Sequence, residues 1–363
     1  MKIMYPDYGS CIANLACSVL KYYGTEPPNG TLEAADRLLS REYKNVVILL
    51  LDGMGVSVME RHLQKEDFFR RNMVCRYSSV FPPTTVAATT AVDSGLYPNQ
   101  SGWLGWSGYF PELDRNVVYF LNADNDTGEA LGENAAWKYV PYESIRDRIA
   151  GTGVGAHYAA PFREPFPKSY DSFCGRIEEL CGLYGRQFIY AYWDEPDTSM
   201  HKSGVDGGDI GVLLENIQER TRIMADRLSD TLLIVTSDHG HVNVKRRSLA
   251  EHEDICRCLV RMPSMETRAL NFFVKDGMKR EFEQAFARHF GEDFILIPRE
   301  KFLSEGLFGK GKDHPMLAGM LGDYIGAAVG DSDISNKSPG KSIGNHAGLT
   351  EEEMIIPLIG VEC

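Results

Sequence analysis

Short apolar runs alternate along the chain with stretches in which apolar residues recur at helical spacing. The strand-like runs are Asn45–Leu51, Cys75–Phe81, Gly153–Tyr158, Gln187–Trp193, Leu232–Thr236 and Met354–Val361. The helical stretches between them are Val56–Leu63, Thr84–Val92, Asp171–Tyr184 and Asp209–Leu228. Such alternation is typical of βαβ units, in which helices join parallel strands. The pattern therefore predicts an α/β fold built on a mainly parallel central sheet.

The pattern changes between about residue 245 and residue 340. A charged stretch is followed there by a small unit with its own elements: the strand-like runs Leu270–Val274 and Phe294–Pro298, and the helical stretch Met278–Phe290. Asp331–Lys341, rich in Asp, Ser, Pro and Gly, is predicted to be a surface loop. We therefore expect a core formed by residues 1–244 and 341–363, and a small inserted α+β lobe or cap formed by residues 245–340.

Composition and charge limit the classes of partner that the protein can bind. The chain has 363 residues, of which 43% are hydrophobic and 25% are charged, and its formal net charge is −13. That charge argues against a nucleic-acid polymer as partner, because polyanion binding relies on Lys and Arg at the phosphates. A small phosphorylated substrate remains compatible, since a bound dication can supply local positive charge. The sequence does not indicate an oligomeric state.

The sequence also favours a cytoplasmic location. Its first residues lack the sustained apolar segment of a signal peptide. No apolar run approaches the roughly 20 residues that a membrane-spanning helix needs, so we expect no membrane association. The eight cysteines are scattered without paired C-x-x-C spacing, which favours reduced thiols over a disulfide framework.

Acids and histidines follow three of the strand-like runs. Asp52 comes directly after the first run, Asp238 and His239 follow Leu232–Thr236, and Asp197 and His201 follow Gln187–Trp193. In open α/β sheets, ligands bind outside the carboxyl ends of the strands, so these side chains are expected to converge. Carboxylate oxygen and imidazole nitrogen are ligands for zinc and related divalent ions. The sequence therefore predicts a metalloenzyme.

A threonine pair, Thr84 and Thr85, lies where a strand-like run passes through Pro82 and Pro83 into a helix. A helix N-terminus offers free N–H groups to an anion, and a hydroxyl there becomes a nucleophile if a metal ion activates it. Threonine is also a preferred residue for capping a helix N-terminus. These residues alone leave both roles open.

Five motifs together resemble the type I phosphodiesterase/nucleotide pyrophosphatase family of the alkaline phosphatase superfamily. They occur in the family's order: Leu51–Gly53, Phe81–Thr85 continuing to Ser94–Pro98, Glu195–His201, Thr236–Gly240 and Gly344–Gly348. The resemblance implies an alkaline-phosphatase-like three-layer sandwich. It also implies two divalent metal ions, one held by Asp52, Asp238 and His239 with Thr85 as the nucleophile, the other by Asp197, His201 and His346. Zinc is the expected metal, and manganese is the alternative.

The resemblance further implies in-line attack of Thr85 on phosphorus, followed by hydrolysis of the Thr85 adduct. A phosphodiester or pyrophosphate is the expected substrate. The family's diesterases usually have an asparagine three residues after the nucleophile, where this chain has Ala88, so the substrate class stays open. The alternatives are a phosphomonoesterase, a phosphomutase or a phosphonate hydrolase with the same site. A more distant alternative is a non-catalytic protein that binds metal or ligand.

Overall fold

The chain forms two large β-sheets with helices packed around them. The computed structural model describes residues 1–338 and 340–363. The strands are β1 Asn45–Leu51, β2 Met73–Ser78, β3 Ser107–Phe110, β4 Arg115–Val118, β5 Ala123–Asp124, β6 Gly155–Ala159, β7 Gln187–Trp193, β8 Thr231–Thr236, β9 Val242–Asn243, β10 Lys245–Ser248, β11 Ser264–Met265, β12 Ala269–Phe272, β13 Phe294–Pro298, β14 Tyr324–Ala328, β15 Ser332–Ser335, β16 Gly344–Asn345 and β17 Ile355–Glu362.

Helices precede the first strand and lie between most of the later ones. They are α1 Ile12–Tyr22, α2 Glu33–Leu38, α3 Val56–His62, α4 Phe68–Arg71, α5 Thr85–Ser94, α6 Pro98–Ser101, α7 Ala135–Tyr139, α8 Ile145–Ala150, α9 Tyr170–Cys181, α10 Asp197–Ser203, α11 Ile210–Arg227, α12 Glu253–Cys256, α13 Lys279–Phe290, α14 Arg299–Ser304, α15 Leu317–Met320 and α16 Glu351–Met354. A short 3₁₀ helix spans Leu249–Glu251. No helix among the described residues is both long and apolar enough to cross a membrane.

The first sheet has six strands in the order β2-β17-β8-β1-β7-β6. Strands β8, β1, β7 and β6 pair in parallel, whereas β17 pairs antiparallel with both of its neighbours. All seven residues of β1 are buried, as its continuous apolar sequence predicted. Alternate β1 residues face opposite sides: Ile48 packs with the layer that contains α1 and α5, and Leu49 with the layer that contains α9 and α11. The three-layer α/β prediction is confirmed.

Strand register brings the carboxyl ends of the central strands together. Leu51 of β1 is paired with Trp193 of β7, and Leu50 is paired with Thr236 of β8. The residues that follow these three strands therefore leave the sheet at the same edge. This edge is where the sequence analysis expected the acids and histidines to converge.

The second sheet is antiparallel and has seven strands in the order β13-β14-β12-β11-β3-β4-β5. Its middle joins two distant segments, since Met265 of β11 is paired with Ser107 of β3. Helix α13 packs against it through a cluster that includes Phe282 and Phe286. The division of the chain at residues 245 and 340 stays a prediction, and the second sheet draws its strands from both sides of the first boundary.

Nearly all predicted elements are present, with ends shifted by a few residues. The exception is the segment predicted to be a surface loop. Ser332–Ser335 forms β15 and pairs in parallel with β10, and Asp333 lies buried against Arg246. The loop prediction was wrong there, because a Ser-Asp-Ile-Ser sequence resembles a turn, and the buried cation that pairs with its Asp is distant in sequence. Pro339, within the same predicted loop, lies outside the described residues.

Candidate metal centre and nucleophile

Asp52 and Asp238 leave the central strands side by side. The turn after β1 depends on Gly53, which has φ +74° and has no space for a side chain, because a Cβ would lie 2.9 Å from the Cβ of Asp197. The backbone N–H of Gly53 donates to Asp238 Oδ1 over 3.1 Å. The backbone N–H of Asp197 donates to the carbonyl of Asp52 over 3.1 Å. Three acidic residues are thus held together by their own backbone.

Asp197 and His201 lie one helical turn apart on α10. His201 Nε2 is 3.3 Å from Asp197 Oδ2, as the four-residue spacing predicts. His346 approaches from the far end of the chain, because β16 pairs antiparallel with β9 and places Asn345 opposite Val242. His346 Nε2 lies 3.7 Å from Asp197 Oδ1, and its ring stacks on that of His239 with centroids 3.7 Å apart.

Thr85 is the first residue of α5, and its hydroxyl faces the acidic cluster. Its Oγ1 lies 3.3 Å from Asp52 Oδ2 and 3.2 Å from His239 Nε2. Thr84 holds the N-cap position but makes no capping hydrogen bond, and its hydroxyl donates instead to Glu266 over 2.6 Å. Neither threonine therefore has the capping role that the sequence left open.

The structure brings all seven predicted site residues together. The ligand atoms fall into two adjoining groups, each with atoms within 4.8 Å of one another: Asp52, Asp197 and His239 in one, and Asp197, His201, His241 and His346 in the other. Asp238 adjoins the first group, with Oδ2 3.5 Å from His239 Nε2. Asp197 is common to both groups. The roles assigned to these residues stay predictions.

The electrostatics of the cluster are those of crowded, buried acids. Burial and the charge of Asp52 raise the pKa of Asp238 well above its ordinary value and that of Asp197 to about 7. Burial alone would lower the pKa of His239, but the carboxylates of Asp238 and Asp52 outweigh it and raise this pKa to about 10. His239 is therefore a cation at neutral pH in the protein without metal, and it cannot act as a general base toward Thr85.

The cluster contains buried polar atoms that form no hydrogen bond. They are Asp52 Oδ1, Asp197 Oδ1, Asp238 Oδ2 and both ring nitrogens of His241. Buried polar atoms in native proteins nearly always have partners, so a concentration of exceptions needs an explanation. Carboxylate oxygens and imidazole nitrogens facing one another are the donor set that Zn²⁺ and Mn²⁺ accept. The residues present fit two divalent ions.

Three further residues belong to the site that the sequence analysis did not assign to it. His241 joins the second group of ligand atoms. The hydroxyl of Tyr192, at the end of β7, donates to Asp52 Oδ2. Glu266, from the second sheet, accepts hydrogen bonds from Thr84 Oγ1 and from the backbone N–H of Trp106. The Asp-His-Gly-His sequence could have indicated that His241 lies near His239. The positions of Glu266 and Tyr192 in the site depend on long-range packing, which the sequence does not show.

Ala88 does not face the site. Its side chain is fully buried in the cluster that α1 and α5 share with the central sheet. The family's asparagine is thus replaced at position 88 by a residue that packs in the core, and the substrate class stays open. The aromatic residues after the nucleophile are also mostly core, with Trp103, Phe110 and Tyr119 buried together, while Trp106 is 44% exposed.

A third group with metal-ligating atoms consists of His252, Asp254 and His289. Its carboxylate is already paired, because Asp254 Oδ2 contacts Arg288 and lies 2.9 Å from His289 Nε2. These two partners hold the pKa of Asp254 at about 2. The group is an ion-pair network on the surface, separate from the predicted site.

Fold and site together are those of the alkaline phosphatase superfamily: a three-layer α/β sandwich with acids and histidines at the carboxyl edge of its central sheet. A sequence profile of the type I phosphodiesterase/nucleotide pyrophosphatase family matches residues 46–285. The chain belongs to this family, and the resemblance seen in its motifs is confirmed.

Comparisons with individual proteins agree with this assignment. The chain is 26% identical to bis(5'-adenosyl)-triphosphatase enpp4 from Xenopus laevis over a region that covers 54% of this chain and 46% of that protein. It thus spans about half the length of this curated relative.

Solved structures show the same fold. Mouse ectonucleotide pyrophosphatase/phosphodiesterase 5 superposes with a TM-score of 0.66 at 16% identity, covering 88% of each chain. An inactive threonine-to-alanine variant of that mouse protein, in complex with AMP, gives a TM-score of 0.65 at 16% identity over 88% of this chain and 87% of that one. Phosphonoacetate hydrolase from Sinorhizobium meliloti 1021, in complex with phosphonoformate, gives a TM-score of 0.61 at 13% identity, covering 86% of this chain and 89% of that one.

Proposed function

We propose that this protein hydrolyses the phosphodiester or pyrophosphate bond of a small nucleotide-like substrate, with Thr85 as the nucleophile and two divalent ions as cofactors. The observation that carries the proposal is the position of Thr85 Oγ1, 3.3 Å from Asp52 and 3.2 Å from His239, at the N-terminus of α5. A hydroxyl in that position adjoins both the ligand cluster and the free N–H groups of a helix end.

The residues divide into ligands and groups that orient them. Asp52, Asp238 and His239 would hold one ion, and Asp197, His201 and His346 the other. When bound, the ions supply Lewis acidity at the phosphoryl oxygens and lower the pKa of a bound hydroxyl or water. Asp52 accepts the hydrogen bond of Tyr192, which leaves its other oxygen free toward the cluster.

Three of the site histidines are held in one orientation by backbone carbonyls. The Nδ1–H of His201 donates to Gly344 over 3.0 Å, that of His239 to Gly240 over 3.0 Å, and that of His346 to Pro83 over 3.3 Å. In each ring Nε2 is then the atom that faces the cluster. This common arrangement supports their role as ligands, because a ligating histidine usually donates its second N–H in this way.

The substrate proposal rests on the family and on the relatives. One relative is named a bis(5'-adenosyl)-triphosphatase, and the mouse structure holds AMP. We therefore propose a small phosphorylated nucleotide, with zinc as the expected metal and manganese as the alternative. A cytoplasmic location stays a prediction; the eight cysteines are free, which agrees with it.

The test is an assay of purified protein loaded with Zn²⁺ or Mn²⁺ on bis-p-nitrophenyl phosphate, p-nitrophenyl phosphate, diadenosine triphosphate and phosphonoacetate in parallel. We expect the diester and the dinucleotide to be preferred. Preference for the monoester or the phosphonate would replace the proposed substrate class by one of the alternatives.

The Thr85→Ala variant tests the nucleophile. It should lose at least about 10³-fold in kcat, because a covalent route is removed, while its metal content stays equal to that of the wild type. The Thr85→Ser variant is the matched control, since it keeps the hydroxyl. Retention of activity by Thr85→Ala would show that the nucleophile is wrongly assigned.

A further inference from the structure

The histidine at position 241 is the least explained residue of the site. It follows His239 by two positions, just before β9, and its side chain is fully buried. Its Nε2 lies 3.2 Å from Asp197 Oδ1, and its ring centroid is 4.8 Å from that of His201 and 5.5 Å from that of His346. The residue is therefore surrounded by the proposed ligands of one ion.

His241 differs from the other three site histidines in its hydrogen bonds. Each of the others donates Nδ1–H to a backbone carbonyl, whereas neither ring nitrogen of His241 forms a hydrogen bond. Asp197 Oδ1, the nearest acceptor, is also without a hydrogen bond. An ordinary core histidine would satisfy at least one nitrogen, since a buried, unpaired polar group costs about 1–3 kcal/mol.

Packing holds the ring in this position in place of hydrogen bonds. Gly344 lies directly against it: a Cβ on this residue would be 2.7 Å from His241 Cε1 and 2.7 Å from the carbonyl of Met200. The backbone carbonyl of Gly344 also accepts a hydrogen bond from the Nδ1–H of His201. One backbone segment thus fixes His201 by a hydrogen bond and His241 by contact, with both rings directed at Asp197.

We infer that His241 is a direct ligand of the ion bound by Asp197, His201 and His346. This inference rests on the proposed function, because it assumes that an ion is bound there. The resulting donor set is three imidazoles and one carboxylate. Such a set fills a tetrahedral zinc shell, whereas catalytic zinc sites usually have three protein ligands and an open position. A substrate or water at this ion therefore requires a fifth coordination position.

The decisive experiment is a crystal structure of the wild-type protein soaked in Zn²⁺, with anomalous maps measured at the zinc edge. A ligating His241 places Nε2 about 2.0–2.1 Å from the anomalous peak. If the peaks lie on the other proposed ligands while His241 Nε2 is more than about 3 Å away, within hydrogen-bond distance of Asp197, this inference is wrong and the proposed function stands. If no peak lies in the cluster, the proposed function fails as well.

A metal titration provides a second readout that does not depend on activity. His241→Gln should weaken one of two Zn²⁺ sites by more than the roughly 10–100-fold typical of a residue that only orients a ligand, and leave the other unchanged. His241→Phe, which keeps a buried ring, replaces it if the glutamine variant does not fold. His62→Gln is the control, because the ring of His62 bonds to the Val205 carbonyl, 2.7 Å away, and does not belong to the cluster of ligand atoms. Equal affinities in His241→Gln and the control would refute direct ligation.

Discussion

A buried ion pair joins the second sheet to the loop that presents His346, and breaking it should destabilise both. The guanidinium of Arg268 donates to Glu353 through Nε and Nη2, each over 2.7 Å, and neither side chain is exposed to solvent. Arg268 also donates to the carbonyls of Ser332 and Gly330. The perturbation that isolates the charge is Glu353→Gln, which keeps the size of the side chain.

The expected loss in the free energy of unfolding comes from the unpaired charge that the substitution leaves in the interior. Arg268 keeps its charge but loses the only carboxylate that contacts it among the described residues. Breaking a buried pair by removing one partner typically costs about 3–5 kcal/mol. Glu353 also accepts hydrogen bonds from the backbone N–H of Gly348 and the hydroxyl of Thr350, each over 2.7 Å, and the amide can satisfy only part of this set. We therefore expect a loss at the upper end of that range.

The size of the protein converts this cost into a melting temperature. At about 2.1 cal/mol/K of unfolding entropy per residue, a chain of 363 residues loses roughly 1.3 °C of Tm for each kcal/mol. Glu353→Gln should therefore lower Tm by roughly 4–7 °C when measured by calorimetry on metal-free protein. Arg222→Met is the control, because its ion pair with Glu219 lies on the surface, and its Tm should not change measurably.

A double substitution tests the electrostatic origin of the effect. Arg268→Met with Glu353→Leu removes both charges, so no unpaired charge remains in the interior. The double variant should be no less stable than Glu353→Gln alone. A Tm loss below about 2 °C for Glu353→Gln, or a double variant as unstable as the sum of its single substitutions, would refute the reasoning. Because Gly348 lies two residues after His346, Glu353→Gln should also weaken zinc binding in a competition titration.

Three further predictions concern the site itself. Asp238→Asn should raise the Tm of the metal-free protein and weaken its zinc binding, because burial and the charge of Asp52 disfavour the Asp238 carboxylate and raise its pKa; a lower Tm without metal would contradict this. Burial raises the pKa of Glu266 from 4.5 to about 7, so the folded state loses stability as the pH rises through that window and the carboxyl ionises. The free energy of unfolding of Glu266→Gln, measured in urea on metal-free protein, should therefore increase relative to that of the wild type by up to about 3 kcal/mol between pH 5 and 8. A difference that stays constant with pH would show that the carboxyl titrates normally. Gly344→Ala should reduce zinc affinity in a metal titration, because its Cβ would contact His241, while Gly208→Ala, which meets no atom within 4 Å, should not.

The central sheet could be predicted because a buried strand requires apolar residues, which are visible in the sequence. A strand covered on both faces, such as Asn45–Leu51, is apolar throughout, and the turn residues that follow it mark its end. The direction of a strand is less visible. The predicted strand Met354–Val361 lies in the main sheet as β17, but its antiparallel pairing with β8 follows from the path of the chain and not from its composition.

The second sheet was predicted only in part, for a related reason. Ser107–Phe110 and Arg115–Val118 are short, contain polar residues and pair with each other, and Ser107 also pairs with the distant residue Met265. Short antiparallel strands of this kind gain their stability from tertiary contacts, and local sequence carries little of that information. The aromatic residues next to them, among them Trp103, Phe110 and Tyr119, are buried in one core cluster.

The candidate site shows the same division between local and distant information. Asp52, Asp238 and His239 were found because they follow buried strands, and His346 only through the family, because a Gly-rich segment gives no local sign that it returns to the sheet edge. His241 was not assigned to the site, because from the sequence alone an ordinary buried histidine was the favoured interpretation. The structure changes that judgement: among four histidines around the same acids, three have a backbone partner and His241 has none. A residue without a hydrogen-bond partner in a buried cluster is better evidence for a ligand than its position in a motif, because the unpaired nitrogen requires a partner that the protein alone does not supply.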